Sequence, residues 1–402
     1  MILRETMSRL AAEIDEGLFT RGVQVSVSIN GEQVLDHVLG DDGLGRPVAA
    51  DTLFRVYCTL KPITAIAVAH LVATSAIDLD RPLSATLPEV EALKGGVTTR
   101  HVLNHTAGLH QPAGVTMEMV PPEDRDAFLN TQARAPGWRL GSDAGYSEHF
   151  GWHVLGRLLE RVTGERLRDH LRRRVLDPLG MRDTYIGMTT DELDANLGRV
   201  GLNVDLRGWR PYPLLFERTP RVLLEVNPAH GGYTTARDLE LLYRSLLRAE
   251  TGEHVDGLPP AEVLAIFCRR ARTPSYDVVL ARECDYGLGF MTNLPGHHFG
   301  PQLSTASYGH SGNVGSSFAL ADPASRLAIG VVFNGIVDPD SAFLRRPALV
   351  RAICRDLDLA SPAAHHDEDG SADVSQQPAP RRRLLRCLLR SRRHQADTDP
   401  DD

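Results

Sequence analysis

Segments with strand character lie at the two ends of the chain, and a long middle with helical character separates them. Near the start, Val23 to Ile29 alternates apolar and polar residues, and Asn30-Gly31 precedes a second apolar run, which is a strong hairpin signal. Toward the end, runs with a period of two lie at 286–290, 306–311, 317–321 and 327–333. Short connections between these runs favour antiparallel pairing. The pattern predicts an α+β fold: one antiparallel β-sheet built from both chain ends and flanked by helices, with an inserted, mainly helical lobe.

The helical segments are recognised by apolar residues three or four apart. They are predicted at 2–18, 58–74, 98–103, 147–164, 165–176, 239–247, 260–270 and 341–358, with Thr98 and Asp238 as helix caps. Residues 1–358 are expected to form the folded domain, with sheet parts at about 1–75 and 230–358 and the helical lobe at about 76–229. Residues 359–402 have the composition of a disordered linker followed by an Arg/Leu-rich tail.

Charge and cysteine content narrow the function classes. The formal net charge of -8 argues against a nucleic-acid partner, because phosphate binding needs a basic face. Five cysteines are scattered without close pairing or metal-ligand spacing, so reduced thiols, no metal site and no cofactor are expected.

The N-terminus has no continuous apolar segment typical of a secretion signal, and no run of about 18 apolar residues occurs elsewhere. A cytoplasmic location is therefore predicted.

The tail, residues 381–393, carries four leucines on one helical face among arginines. This pattern is compatible with a weak contact with an anionic membrane or an acidic partner. The alternative is a solvated tail without a role.

Lysine is almost absent from the chain, which makes Lys61 conspicuous. Of 44 Lys and Arg residues only Lys61 and Lys94 are lysine, which leaves 42 arginines. A desolvated lysine can act as a neutral base, whereas an arginine keeps its proton. Lys61 follows Cys58 by three residues at the start of a predicted helix, where both side chains lie on one face and the free N–H groups favour a thiolate. Cys58 and Lys61 are therefore a candidate nucleophile and base.

Four more stretches accompany this box in a fixed order. The five are Phe54–Thr64 with Cys-x-x-Lys, Leu103–Leu109 with His-Thr-Ala-Gly-Leu, Tyr146-Ser-Glu148, Gly231–Asp238 with Gly-Gly-Tyr-Thr-Thr, and Tyr308–Ser316 with His-Ser-Gly. Over about residues 5–358 the chain resembles the serine β-lactamase and penicillin-binding-protein-like family, particularly its class C β-lactamase, esterase and transacylase branch. The resemblance implies a β-lactamase/transpeptidase-like fold and a catalytic role for residues 1–358.

The resemblance also implies roles for individual residues. Cys58 would be the nucleophile, Lys61 would help to take its proton, and Tyr146 would be a phenolate-like base or proton shuttle. The backbone N–H groups of Cys58 and Asn313 would form the oxyanion hole. The residues expected to bind the substrate are Glu148, His310, Ser311 and Gly312.

Two positions depart from the family pattern. Cys58 replaces the family's serine, and Glu148 replaces its asparagine. A cysteine nucleophile gives a thioester acyl-enzyme that amines, alcohols and thiols attack readily, which favours acyl transfer over β-lactam hydrolysis. Glu148 brings a negative charge that would pair with Lys61 or meet an amine acceptor.

The leading hypothesis is an acyltransferase of small-molecule, secondary metabolism such as antibiotic biosynthesis, with a small-molecule acyl donor and acceptor. One alternative is an esterase, amidase or peptidase that uses water as the acceptor. Another is a non-catalytic β-lactamase-like binding protein, since fold alone does not fix function. The poorly patterned segments 110–145 and 185–228 are expected to form the substrate walls, and the sequence leaves the oligomeric state open.

Overall fold

The computed structural model describes residues 3–17, 19–110, 120–131 and 135–359. These residues belong to one compact unit that spans Met1–Pro362. The predicted linker and the tail at 381–393 lie outside the described residues, as does part of the segment 110–145. Within the described ranges, no helix combines the length and the apolar content needed to cross a bilayer.

The strands, numbered in chain order, have the following bounds. They are β1 Gly22–Ile29, β2 Glu32–Gly40, β3 Phe54–Arg55, β4 Tyr185–Ile186, β5 Val204–Asp205, β6 Tyr212–Pro213, β7 Gly232–Thr234, β8 Arg272–Asp277, β9 Arg282–Tyr286, β10 Met291–Thr292, β11 Tyr308–Ser311, β12 Ser317–Asp322, β13 Leu327–Phe333 and β14 Gly335–Ile336. Eight of them form one sheet in the order β2-β1-β13-β12-β11-β10-β9-β8. The N-terminal hairpin therefore continues the C-terminal strands, as predicted.

The α-helices of the described ranges are also numbered in chain order. They are α1 Arg4–Glu16, α2 Lys61–Ala73, α3 Thr99–Leu103, α4 Arg125–Asn130, α5 Phe150–Thr163, α6 Leu167–Leu171, α7 Asp177–Leu179, α8 Thr190–Asn196, α9 Pro220–Leu224, α10 Ala236–Glu250, α11 Ala261–Cys268 and α12 Pro339–Asp356. A turn of π-helix, Arg172–Leu176, joins α6 to α7. The predicted single helix at 165–176 is thus a composite that runs on to Leu179.

The large sheet is antiparallel, and helices cover both of its faces. β1 pairs with β13 so that Val25 faces Val331, and it pairs with β2 through the Asn30-Gly31 turn. Asn30 and Gly31 both have positive φ, 53° and 84°, which confirms the predicted hairpin. α10 packs on β1, β12 and β13, whereas α1 and α12 pack together on the other side. The central strands are consequently buried on both faces, between a helical layer on each side of the sheet.

Two local predictions are wrong, and one strand was not predicted. The strand placed at 286–290 ends at Tyr286, because Gly287 N–H turns back to the carbonyl of Phe290 at 2.9 Å. β8 had no clear periodicity and was missed in the sequence. Asp238 does not cap α10: the N-cap is Thr235, whose side chain accepts from the Asp238 N–H. Thr98 does cap α3, as predicted.

Candidate active site

Cys58 and Lys61 meet at the start of α2. A short 3₁₀ turn, Tyr57–Leu60, brings the chain from β3 into the helix. Lys61 Nζ lies 3.2 Å from Cys58 Sγ and donates to the carbonyls of Glu148 at 2.8 Å and Ala229 at 3.0 Å. The Lys61 side chain is completely buried, and this burial lowers its pKa below 10.5. The contact gives the thiol a nitrogen base that can lose its proton more readily than an exposed lysine.

The 3₁₀ turn Tyr57–Leu60, here called the nucleophile turn because it carries the predicted nucleophile Cys58, is hydrogen-bonded to the sheet next to β11. Ser317 Oγ donates to the Val56 carbonyl at 2.7 Å and lies 2.8 Å from Thr59 Oγ1. Gly312 passes so close that an added Cβ would lie 2.3 Å from Ser317 Oγ and 2.5 Å from the Val56 oxygen. A glycine is therefore required there for the end of β11 to reach the turn that carries Cys58.

Tyr57, directly before Cys58, has a positive φ of 51°, which is unusual for a large side chain. Its hydroxyl donates to the buried carboxylate of Glu217, and the Arg55 guanidinium lies 5.0 Å from its ring centroid. Glu217 is held in turn by Asn203, whose backbone N–H donates to it at 3.0 Å. These contacts hold the backbone conformation that presents the thiol, and no sequence motif marks them.

Tyr146 lies beside the same pair. Its ring centroid is 5.5 Å from Lys61 Nζ, and its hydroxyl interacts with the Cys58 thiol. Burial raises the pKa of Tyr146 well above 10, and the neighbouring Cys58 and Tyr286 act in the same direction. Burial thus disfavours the phenolate-like base considered for Tyr146. The neutral phenol fits the other predicted role, a proton shuttle.

His310 was expected to bind the substrate, but its side chain does not face the cavity over Cys58. Its ring is completely buried behind Tyr146, at a centroid distance of 6.3 Å. Successive side chains of a strand point to opposite faces, so Ser311 reaches the cavity and His310 points inward. Burial and the charge of Lys61 lower the pKa of His310 to about 3, so it is a neutral interior group. His310 is therefore not part of the cavity lining, whereas the other predicted substrate-binding residues, Glu148, Ser311 and Gly312, are.

The predicted oxyanion donors lie on facing segments. Asn313 is the first residue of a 3₁₀ turn, Asn313–Gly315, just beyond the end of β11 rather than on the strand itself. The buried Arg345 of α12 holds this turn by donating to the Gly315 carbonyl at 2.8 Å. Cys58 and Asn313 line one cavity, and neither N–H donates to another group of the described chain. Both donors are thus available to a carbonyl oxygen.

A cavity of about 540 Å³ opens over Cys58. Its lining includes Tyr57, Cys58, Tyr146, Glu148, His149, His230, Leu280, Arg282, Met291, Ser311, Gly312, Asn313, Phe343 and Arg346. The size suits a small organic substrate. Among the described residues, no group of His, Cys, Asp or Glu side chains has the arrangement of a metal site.

The cavity carries opposite charges at different parts of its wall. Glu148 presents a half-exposed carboxylate, and Lys61 donates to its backbone carbonyl rather than to this carboxylate. Arg282 and Arg346 also line the cavity, and neither forms an ion pair within the described ranges. Burial and the charge of Arg282 lower the pKa of Arg346 to about 9. The two arginines were missed because arginine is common in this chain and no motif marks them.

Comparison with known proteins shows the family and the fold. The family model described as Beta-lactamase matches residues 9–352, most of the chain. The chain belongs to the beta-lactamase family. Among solved structures, a penicillin-binding protein homologue from Caulobacter crescentus superposes with a TM-score of 0.72 at 25% identity, covering 88% of this chain and 97% of its own. A family VIII carboxylesterase gives the same TM-score at 26% identity and the same coverage. The β-lactamase/transpeptidase-like fold expected from the five motifs is confirmed.

The sequence relatives in this beta-lactamase family include an esterase and an acyltransferase. Esterase EstB of Burkholderia gladioli is 36% identical over 201 residues, which is 44% of this chain and 50% of the esterase. Monacolin J acid methylbutanoyltransferase of Aspergillus terreus is 24% identical over 174 residues, 34% of this chain and 38% of that enzyme. The chain thus spans about half or less of the length of these two relatives. They include both a hydrolase and an acyltransferase.

Proposed function

We propose that this protein is an acyltransferase of small-molecule, secondary metabolism that works through a thioester acyl-enzyme on Cys58. The observation that carries the proposal is the contact of 3.2 Å between Cys58 Sγ and the fully buried Lys61 Nζ, at the floor of a cavity of small-molecule size. The acyltransferase among the relatives adds support for transfer as the reaction class.

The first half-reaction forms the thioester. Lys61 takes the thiol proton as Cys58 Sγ attacks the carbonyl carbon of the acyl donor. The N–H groups of Cys58 and Asn313 hold the oxyanion that develops. As the carbon–leaving-group bond breaks, Tyr146 gives its hydroxyl proton to the leaving group and recovers one from Lys61. The second half-reaction transfers the acyl group to the acceptor and regenerates the thiol.

Lys61 and Tyr146 have distinct roles in this scheme because burial shifts their pKa values in opposite directions. The lowered pKa of Lys61 favours the neutral amine that accepts a proton, and the raised pKa of Tyr146 favours the phenol that donates one. Cys58 is also suitably exposed: it is half-buried, whereas Cys268, Cys284 and Cys354 are buried. A donor can therefore reach the proposed nucleophile.

The experiment is acylation followed by intact-protein mass spectrometry. Incubation with a p-nitrophenyl ester or an acyl thioester should add the acyl mass to Cys58, and Cys58→Ala should abolish it. Cys268→Ala is the matched control, since its thiol is buried away from the cavity. Turnover that survives Cys58→Ala would overturn the mechanism. A protein that neither turns over nor takes up any acyl group would instead be the binding protein considered above.

Hydrolysis is the second candidate, favoured by the similarity to EstB. Water then replaces the acceptor, and the acyl-enzyme is unchanged. Product analysis with and without added amine separates the two functions, because a transferase forms amide while a hydrolase forms only the free acid.

A further inference from the structure

Two imidazoles meet in the cavity wall beside the proposed nucleophile. His149 Nδ1 and His230 Nε2 form a hydrogen bond, and the ring centroids are 4.0 Å apart at an interplanar angle of 88°. Each histidine directly follows a residue whose carbonyl binds Lys61, namely Glu148 and Ala229. The imidazole pair therefore bridges the two segments that hold the lysine.

Arg55 fixes the direction of hydrogen bonding through this pair. Its Nη2 lies 3.2 Å from His230 Nδ1, and an arginine can only donate. His230 Nδ1 then accepts, so the proton of the neutral ring is on Nε2 and is donated to His149 Nδ1. Asn227 Nδ2 also lies near His230 Nε2, but its distance of 3.4 Å makes it the longer and weaker of the two contacts that compete to set the tautomer. His149 in turn carries its proton on Nε2. Burial and the nearby cations Lys61 and Arg55 lower the pKa of both histidines, which keeps the rings neutral.

This tautomer determines what His149 can do. Its Nδ1 is occupied as an acceptor, and its Nε2–H is a donor, so neither nitrogen is a free base. Nε2 lies 3.8 Å from Glu148 Oε2, so a small rotation of the carboxylate brings it within hydrogen-bond distance of the Nε2–H. The Glu148 carboxylate lines the cavity with 52% of its side chain exposed, so a bound acceptor can reach it and transfer a proton to it.

We infer that Glu148 is the general base of the acceptor half-reaction, that the acceptor is an amine, and that His149 positions the carboxylate through its Nε2–H. The inference rests on the proposed acyl-enzyme at Cys58. A carboxylate attracts the alkylammonium form present at neutral pH and can remove its protons, which the amide of an asparagine cannot do.

The step balances without another reactant. The bound ammonium loses one proton to solvent, and the amine nitrogen attacks the thioester carbon while Glu148 takes a second proton. The tetrahedral intermediate collapses with cleavage of the carbon–sulfur bond. The Cys58 thiolate leaves and takes up a proton from solvent, and Glu148 releases the proton that it accepted to solvent, so Lys61 stays neutral and one proton is released overall. The products are an amide and the free thiol.

The test separates the two half-reactions. With p-nitrophenyl butyrate as donor, the p-nitrophenolate burst reports acylation, and intact mass reports the decay of butyryl-Cys58 on addition of ethanolamine or glycine methyl ester. Glu148→Gln should leave the burst within about twofold and slow the amine-dependent decay about 10²- to 10⁴-fold. Glu283→Gln, an exposed residue outside the cavity lining, should change neither rate.

Two outcomes count against the inference in different ways. If the wild-type acyl-enzyme forms and Glu148→Gln loses it to amine at the wild-type rate, the role of Glu148 is wrong while the proposed function stands. If the wild-type protein forms no Cys58 adduct with any donor, the proposed function is wrong and this inference falls with it.

His149 is tested by a pair of variants and a spectroscopic measurement. Glutamine can place an N–H near the position of Nε2, whereas phenylalanine cannot. The amine-dependent decay of the acyl-enzyme should therefore be at least tenfold faster in His149→Gln than in His149→Phe. Equal rates in the two variants would show a packing role only. ¹⁵N NMR of labelled histidine should show the His149 ring neutral and protonated at Nε2; protonation at Nδ1 would overturn the assigned direction.

Discussion

Lys61 Nζ lies 3.2 Å from Cys58 Sγ with no solvent access to the lysine. Two backbone carbonyls, those of Glu148 and Ala229, accept its remaining hydrogen bonds, and no carboxylate of the described residues forms an ion pair with it. A buried ammonium without a paired anion is costly, so the site favours the neutral amine. The position of the lysine thus makes it a proton acceptor for the thiol rather than a structural cation.

Replacement of Lys61 should separate base catalysis from folding. Lys61→Met keeps most of the volume but removes the nitrogen, and we expect acylation of Cys58 to slow about 10²- to 10⁴-fold. Lys61→Arg should not restore the rate, because a guanidinium keeps its proton. Burst kinetics with p-nitrophenyl butyrate measure both, and circular dichroism checks the fold. Restoration of the rate by arginine would show that charge alone is needed.

The pH dependence of acylation follows from the same pKa shift. The pKa of Lys61 is below 10.5, so the neutral amine accumulates as pH rises toward that pKa and the acylation rate should rise with it. Cys58 and Glu148 oppose the shift electrostatically, and burial outweighs them. Single-turnover rates between pH 6 and pH 10 check the profile, in which Lys61→Met should lose the ascending limb assigned to the lysine.

Tyr146→Phe tests the proton shuttle through the choice of leaving group. Phenylalanine removes the hydroxyl that would protonate the leaving group. The loss should be small for p-nitrophenolate, which leaves without a proton, and about 10²-fold or more for an alkyl ester. The ratio of the two single-turnover rates is the measurement. An equal loss for both donors would indicate that Tyr146 acts before the leaving group departs.

Gly312→Ala tests the close approach of the end of β11 to the nucleophile turn. The added Cβ would lie 2.3 Å from Ser317 Oγ and 2.5 Å from the Val56 oxygen, although the backbone angles at Gly312 suit alanine. We expect a loss of about 1–3 kcal/mol in the free energy of unfolding and slower acylation. Gly198→Ala is the control, since nothing lies within 4 Å of its added Cβ. Urea unfolding compares the two, and equal stability would contradict the packing argument.

Asp238 supplies a pH-dependent contribution to stability. Burial raises its pKa to about 6 from 3.8, against the opposing effects of Thr184 and Arg172 and with the help of Asp183. The folded state therefore binds a proton more tightly than the unfolded chain, and stability falls as pH rises from about 4 to about 6. Asp238→Asn should remove this fall and be more stable than wild type at pH 7 by about 1–3 kcal/mol. Urea unfolding at pH 4 and pH 7 is the measurement, and a larger fall in the variant would contradict the assignment.

The sequence predicted the parts of the fold that depend on local periodicity. The Asn30-Gly31 hairpin and the antiparallel C-terminal strands follow from alternation and turn chemistry. The π-helical turn at Arg172–Leu176 and the irregular β8 depend on tertiary packing, which local patterns do not record. The burial of β1 on both faces likewise depends on α10 and α12, which pack on the sheet and lie far from β1 in the sequence.

The candidate site shows the same division. Cys58, Lys61 and Tyr146 could be found because short motifs mark them, and the structure brings these three together. The His149–His230 pair joins residues 81 positions apart, so no motif contains it. The inward orientation of His310 depends on which strand face meets Tyr146, and the motif does not specify that face.

The most direct test of the thioester mechanism is intact-protein mass spectrometry of the acylated enzyme, followed by peptide mapping and treatment with hydroxylamine. We predict one acyl group on Cys58 that neutral hydroxylamine removes, as expected for a thioester, and no adduct on Cys58→Ala. An acyl group that maps to another residue, with turnover retained in Cys58→Ala, would contradict this mechanism.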